Sequence, residues 1–192
     1  MLIHDRRTRD GAQLELSALL IFVLVANCSI GVSIAIAQST DRYSFQIESD
    51  DAFPDSTLPQ RLRSLLDDDN DSALECASID LNGDGKKEKF VPNKFLEGTG
   101  LCPWLIFDSG LKRLIGRIDA KIIYVLKSKH HGYEDLECYC RQGGGLGTVT
   151  LYAFNGRDYE QTSSLELRDE QIDTYFERRR NVPHPKWLRP GE

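Results

Sequence analysis

The stretch Ala120-Lys121-Ile122-Ile123-Tyr124-Val125-Leu126-Lys127 puts Ile122, Tyr124 and Leu126 on one side of an extended chain and Ile123 and Val125 on the other. Side chains alternate across a strand with period two, so both faces of this one are apolar. Such a strand belongs in the middle of a sheet covered on both sides. β signals continue in both directions, from residue 74 to about residue 164. Upstream lie 74–80, 89–91, the apolar run 102–107 with Trp104, and 111–118. Downstream, Leu136-Glu137-Cys138-Tyr139-Cys140-Arg141 alternates, with Leu136, Cys138 and Cys140 on one face and Glu137, Tyr139 and Arg141 on the other. Residues 148–154 and 159–164 are joined through Asn155-Gly156, a strong hairpin signal.

Helical spacing flanks this β region. Leu58, Leu62, Leu65 and Leu66 fall at i, i+4, i+7 and i+8, with Ser56 or Thr57 as cap and Pro59 in the first turn. The acidic run 67–71 sits where the macrodipole disfavours anions and ends that helix. A closing helix is expected over 169–180, with Ile172, Tyr175 and Phe176 on its buried face, acids early and Arg178-Arg179-Arg180 late. The expected fold class is therefore α+β: mostly antiparallel β-sheet, with one helix before the strands and one after. Residues 38–55 read as an N-terminal arm in which Tyr43, Phe45 and Ile47 alternate as in a short edge strand. Residues 56–180 form a single domain and 181–192 a tail. No internal repeat is visible.

Residues 1–37 have the pattern of a signal peptide. Arg6, Arg7 and Arg9 precede an apolar run from 14 to 37 whose one charge is Glu15, closing on Ala35-Ile36-Ala37, an A-x-A cleavage site. Cleavage would leave residues 38–192 and export the protein to the periplasm or the medium. Left uncleaved, the same run approaches the ~20 residues of a membrane anchor, the one circumstance in which a membrane partner is expected. The leader carries three basic and three acidic residues, so the net charge of −6 is unchanged by its loss. An acidic chain without a basic face is not built for nucleic acid. Export also makes disulfides the default for Cys76, Cys102, Cys138 and Cys140. Cys138 and Cys140 share one face of one strand and are too far apart to bond each other. They are expected to reach separately to Cys76 and Cys102.

The most informative polar stretch is Asp80-Leu81-Asn82-Gly83-Asp84-Gly85-Lys86-Lys87-Glu88. Asp80, Asn82 and Asp84 place oxygens at loop positions one, three and five, and the Lys86 carbonyl falls at seven, the spacing of a Ca²⁺ loop. Val91 stands at position twelve, where an EF-hand carries its bidentate glutamate, so Glu88 is the candidate closing ligand. The expected metal residues are Asp80, Asn82, Asp84, Lys86 and Glu88, and the expected ion is Ca²⁺.

This D-x-N-G-D-G-x-x-E loop resembles the calcium loop of FG-GAP and VCBS-type repeats, secreted modules in which it links two β-strands. The resemblance covers nine residues, and the F-G-x pair and G-A-P tripeptide of those repeats are absent. Together with the leader, Cys76-Ala77-Ser78-Ile79, the Cys102 strand and the Gly-rich turn 143–147, the chain looks like a class of small secreted bacterial proteins of unknown function. That resemblance implies no activity.

Catalytic constellations do not assemble from the residues. There is no G-x-S-x-G, and Glu134, Asp135 and Glu137 near His131 read as solvated acids beside a turn rather than acid–base catalysts. The His130-His131 pair with the C-x-C lacks zinc-knuckle spacing. The expectation is an exported non-catalytic envelope protein, a calcium- and disulfide-stabilised module binding an envelope protein or a glycan. The alternative is an exported inhibitor or immunity-type protein blocking a partner hydrolase through 130–133 or 143–147.

Overall fold

The computed structural model describes residues 40–66, 74–93 and 103–185, and antiparallel strands dominate them. Among the described residues, ten strands make two five-stranded sheets. The first has the order β1-β7-β8-β9-β10, comprising β1 (Tyr43–Glu48), β7 (Ile122–His130), β8 (Tyr133–Gly143), β9 (Leu146–Phe154) and β10 (Tyr159–Arg168). The second runs β2-β3-β4-β5-β6, from β2 (Phe53–Pro54) through β3 (Glu75–Ile79), β4 (Glu88–Pro92) and β5 (Pro103–Phe107) to β6 (Leu114–Asp119). All neighbours are antiparallel.

The sheets face each other across one core. Ile47, Ile123, Val125, Leu136, Cys138, Phe154 and Tyr159 from the first meet Ala77, Ile79, Phe90, Trp104, Ile106, Ile115 and Ile118 from the second. Register explains the selection: Ile123 stands between Ile47 of β1 and Cys138 of β8, so three inward side chains line up across three strands. Trp104 is fully buried, and its Nε1–H donates to the Ala120 carbonyl (2.9 Å), tying the second sheet to the crossing from β6 to β7.

This arrangement is a β-sandwich and corrects the α+β expectation with a helix on each side. Only one helix longer than a single turn occurs among the described residues, Glu170–Glu177, within the expected 169–180. The expected helix from 56 reduces to a 3-10 turn, Gln60–Leu62, and one α turn, Arg63–Leu66. Nucleating a helix is costly and is repaid only over several turns. Here Leu58 and Leu62 reach the second sheet and are buried, while Leu65 stays 44% exposed. Leu65 thus has nothing to cover.

Each sheet has its own outer cluster. Leu58, Leu62, Leu74, Cys76, Val91, Leu105 and Phe107 cover the second sheet. Tyr43, Tyr124, Tyr139, Val149 and Leu167 lie under the C-terminal helix on the first and meet its Tyr175, with Ile172 and Phe176 partly buried beside them. Gly147 makes room for this packing: a Cβ there would meet the Tyr139 ring at 2.7 Å.

The expected arm and tail both join the sandwich. β1 is an edge strand of the first sheet, and its Gln46 N–H donates to the Pro183 carbonyl (2.9 Å). Val182 is buried, and His184 Nε2 lies 3.0 Å from the buried Asp51 carboxylate. The leader, the acidic run 67–71, Cys102 and the tail beyond residue 185 lie outside the described residues.

Candidate functional site

Asp80–Glu88 connects β3 to β4, and its side chains cap its own backbone. Asp80 Oδ1 accepts from Gly83 N (2.7 Å) and Oδ2 from Gly85 N (2.9 Å). Asn82 Oδ1 accepts from Asp84 N (2.8 Å), and Asp84 Oδ1 from Lys86 N (2.7 Å). Gly83 and Gly85 carry φ values of 79° and 81°, which a side chain at either position would resist. Asp84 and Lys86 are exposed, Asp80 and Asn82 half-buried. The loop rests on the β7–β8 hairpin, where the Leu81 carbonyl accepts from Glu134 N (2.9 Å).

Glu88 differs from the rest of the loop. It opens β4 opposite Ile79, is 2% exposed, and accepts the Leu81 N–H at Oε2 (2.9 Å). Burial pushes its carboxyl above the usual range, and Asp84 and Asp80 push it further, against the pull of the Leu81 amide. Asp80 is displaced the other way: the amides of Gly85 and Gly83 outweigh its partial burial and hold its carboxyl low. Among the described residues, no three His, Cys, Asp or Glu side chains converge as a metal-ligating group. The donor set is all oxygen, as a hard cation requires, but the carboxylates are turned toward the loop's amides. Binding an ion would have to draw them together.

The expected disulfides fare differently. Cys138 lies in the inter-sheet core, and Cys76 lies on the outer face of the second sheet. A whole sheet separates Cys76 from both Cys138 and Cys140, and no bridge joins these three to one another. Sequence reading missed this because alternation fixes which side of its own strand a cysteine takes, not which layer of the sandwich that side meets. Burial pushes the Cys76 thiol up to about 11, with Lys89 and Asp55 as its charged neighbours. Lys89 Nζ donates to Asp55 Oδ2 (3.0 Å) and to Ser78 Oγ (2.9 Å).

Two further clusters lie on the outer face of the first sheet. Glu137 of β8 is 2% exposed and is held by Arg42, by the hydroxyl of Tyr43 (3.1 Å), by Tyr175 (2.9 Å) and by Arg179 Nε (2.7 Å). The Arg179 guanidinium also stacks 3.5 Å from the centre of the Tyr175 ring. This buried ion cluster pins the N-terminal segment and the C-terminal helix to one strand, and its burial beside the Glu137 charge drives the Tyr175 phenol well above its ordinary range. At the hairpin end of the same face, Asp135 accepts from Ser128 Oγ (2.6 Å) and lies 2.7 Å from His130 Nδ1. It is His130, not His131, that meets a carboxylate. Ser128 bonds the aspartate rather than the imidazole, so the three residues do not form a nucleophilic triad.

The loops proposed for an inhibitor are tight turns. His131 (φ 48°) and Gly132 (φ 87°) close β7 to β8, and Gly144 (φ 58°) and Gly145 (φ 76°) close β8 to β9. Both are two-residue turns with positive φ at each centre, the hand that matches strand twist. No described helix is long and apolar enough to cross a membrane. No protein-family model, curated protein or solved structure matches the chain.

Proposed function

We propose that this chain is an exported, non-catalytic β-sandwich binding module whose Asp80–Glu88 loop binds one Ca²⁺ weakly, with Kd of about 10⁻⁴–10⁻³ M. The observation that carries the calcium reading is Glu88, a buried carboxylate beside two further acids in a loop of oxygen donors. A divalent cation removes that repulsion. The loop's existing amide hydrogen bonds favour weak binding, because an ion competes with them for the same oxygens. Export rests on the A-x-A leader. The module is preferred to the inhibitor because both candidate plugs are two-residue turns, which present few side chains to an active site. An envelope protein or a glycan remains the proposed partner class.

Calorimetry with CaCl₂ tests this. Binding in the stated range should appear in the wild type and disappear in Asp84→Ala, whose side chain is exposed and whose loss leaves the core intact. At tenfold excess over Kd, binding stabilises the fold by about 1.4 kcal/mol. No heat, or equal heat in the variant, would show that Asp80–Glu88 is a plain turn. Capture from an envelope extract, with and without chelator, then separates glycan retention from a stoichiometric protein complex.

A further inference from the structure

The outer face of the first sheet is covered by the helix at one end only. At the β7–β8 hairpin end it opens into a cleft of about 550 Å³, a volume suited to a small molecule. Leu126, Leu151 and Ala153 supply an apolar floor, and Lys127, Ser128 and His130 stand at its edge. The carboxylate in this wall, Asp135, is 7% exposed and already satisfied, Oδ2 by Ser128 (2.6 Å) and Oδ1 by His130 Nδ1 (2.7 Å).

That geometry determines what the cleft can offer. A buried aspartate on Nδ1 holds a proton there, so Nε2 is the polar atom left to a ligand, an acceptor on neutral imidazole and a donor on imidazolium. The Lys127 ammonium is 3.5 Å from Asp41, with 56% and 91% of the two side chains exposed, a pairing that water and salt weaken. Arg42, on the far wall, is engaged with Glu137. The cleft therefore presents cationic donors above an apolar floor, and its carboxylate is turned to its own partners.

We propose that this cleft binds a small organic carboxylate with an apolar body. Its chain lies on Leu126, Leu151 and Ala153, and its carboxylate meets His130 and Lys127. The proposal goes beyond the binding-module reading, adding a second site and a different ligand class. The ligand's charge favours imidazolium, so binding takes up a proton and tightens as pH falls. Asp135 and Glu134 from β8 support that charge on His130, while Lys127 and Lys129 on its own strand and Arg42 oppose it; Asp41 offsets Lys127, and His131 stands in the adjoining turn.

Sodium octanoate is the probe, followed by amide chemical shifts of the purified protein at pH 6 and pH 8. Shifts should concentrate at 126–130, 135 and 151–153, with binding at least fivefold tighter at pH 6. Octan-1-ol, the uncharged control, should show no such pH dependence. His130→Gln should keep the fold, because the side chain is 60% exposed and a glutamine amide can still donate to Asp135, and should lose the pH dependence. Shifts elsewhere, none at several millimolar octanoate, or an unchanged pH dependence in His130→Gln would overturn the proposal. Envelope capture that succeeds while octanoate fails would overturn this ligand class and leave the module reading standing.

Discussion

Glu137 and Glu88 are equally hidden, each 2% exposed, yet their surroundings are opposite. Glu137 has two arginines and two tyrosine hydroxyls around it. Glu88 has only backbone amides, those of Leu81 and of Glu88 itself, with two acids nearby. Burial of a carboxylate is costly unless it is paired and hydrogen-bonded. The sandwich meets that requirement at Glu137 with its own side chains. At Glu88 it meets it in part, so the loop and not the helix face is where the proposed cation would have charge to offset. The difference separates a structural anchor from a candidate site, although both begin as a glutamate on a β-strand.

The largest expected effect breaks the anchor. Glu137→Ala leaves Arg42 and Arg179 beside each other without their shared carboxylate, and removing one partner of a buried ion cluster costs about 3–5 kcal/mol. The C-terminal helix should loosen first, because Tyr175 and Arg179 both hold Glu137. Chemical denaturation gives the energy, and amide exchange should show faster opening over Glu170–Glu177 than over β4 and β5. A loss below about 1 kcal/mol would mean that the aromatic packing alone seats the helix.

Little of this anchor was legible in the sequence. Arg42 is 95 residues from Glu137 and Tyr175 is 38 away, and no local period links them. The one signal was a charged residue alternating with Tyr139 on a strand face, a position that needs a partner once covered. The Arg178-Arg179-Arg180 run was attributed to the helix dipole, but Arg179 turns under the helix to Glu137 and Arg180 pairs with Glu177. Strand faces were far more readable. Leu136 and Cys138 point into the core and Glu137 and Tyr139 away from it, as alternation dictates. Two sheets rather than one were not readable, because period two says which residues share a face and nothing about what the face meets. The loop was legible as nine residues; the turning of its oxygens toward its own amides was not.

A smaller effect, of opposite sign, is expected at Glu88. Glu88→Gln keeps an oxygen for the Leu81 amide and removes a buried charge, so the variant should be more stable at pH 7 by up to about 1 kcal/mol. The sign follows from linkage. The folded-state carboxyl is raised, so its proton favours folding at low pH, and that contribution is lost as pH rises through the folded value. The advantage of Glu88→Gln should therefore vanish below about pH 4, near the ordinary glutamate value. The same variant should also lose the stabilisation proposed for calcium. A variant that is less stable than wild type at pH 7 would show that Glu88 is ionised and well paired, and would remove the contrast with Glu137.

The smallest effect sharpens the comparison with a third carboxylate, Asp55, which is partly exposed and carries a lysine. Partial burial raises its carboxyl, but donors from Thr57 and from Lys89 outweigh this and hold it below the usual aspartate range. A lowered carboxyl contributes stability above its unfolded value, near 3.9, and loses it as pH falls toward the folded value. Wild type should thus weaken below about pH 4 over and above Asp55→Asn, which cannot titrate there. Each of the two side chains in the Lys89–Asp55 pair is 19% exposed, so water screens the charge less than at an open surface and more than at Glu137. The expected difference at neutral pH is accordingly about 1 kcal/mol, well under that of Glu137→Ala. Melting curves of both proteins between pH 2.5 and 7 decide it: parallel curves would mean that neither the Thr57 donors nor Lys89 holds the charged carboxyl better than a neutral amide.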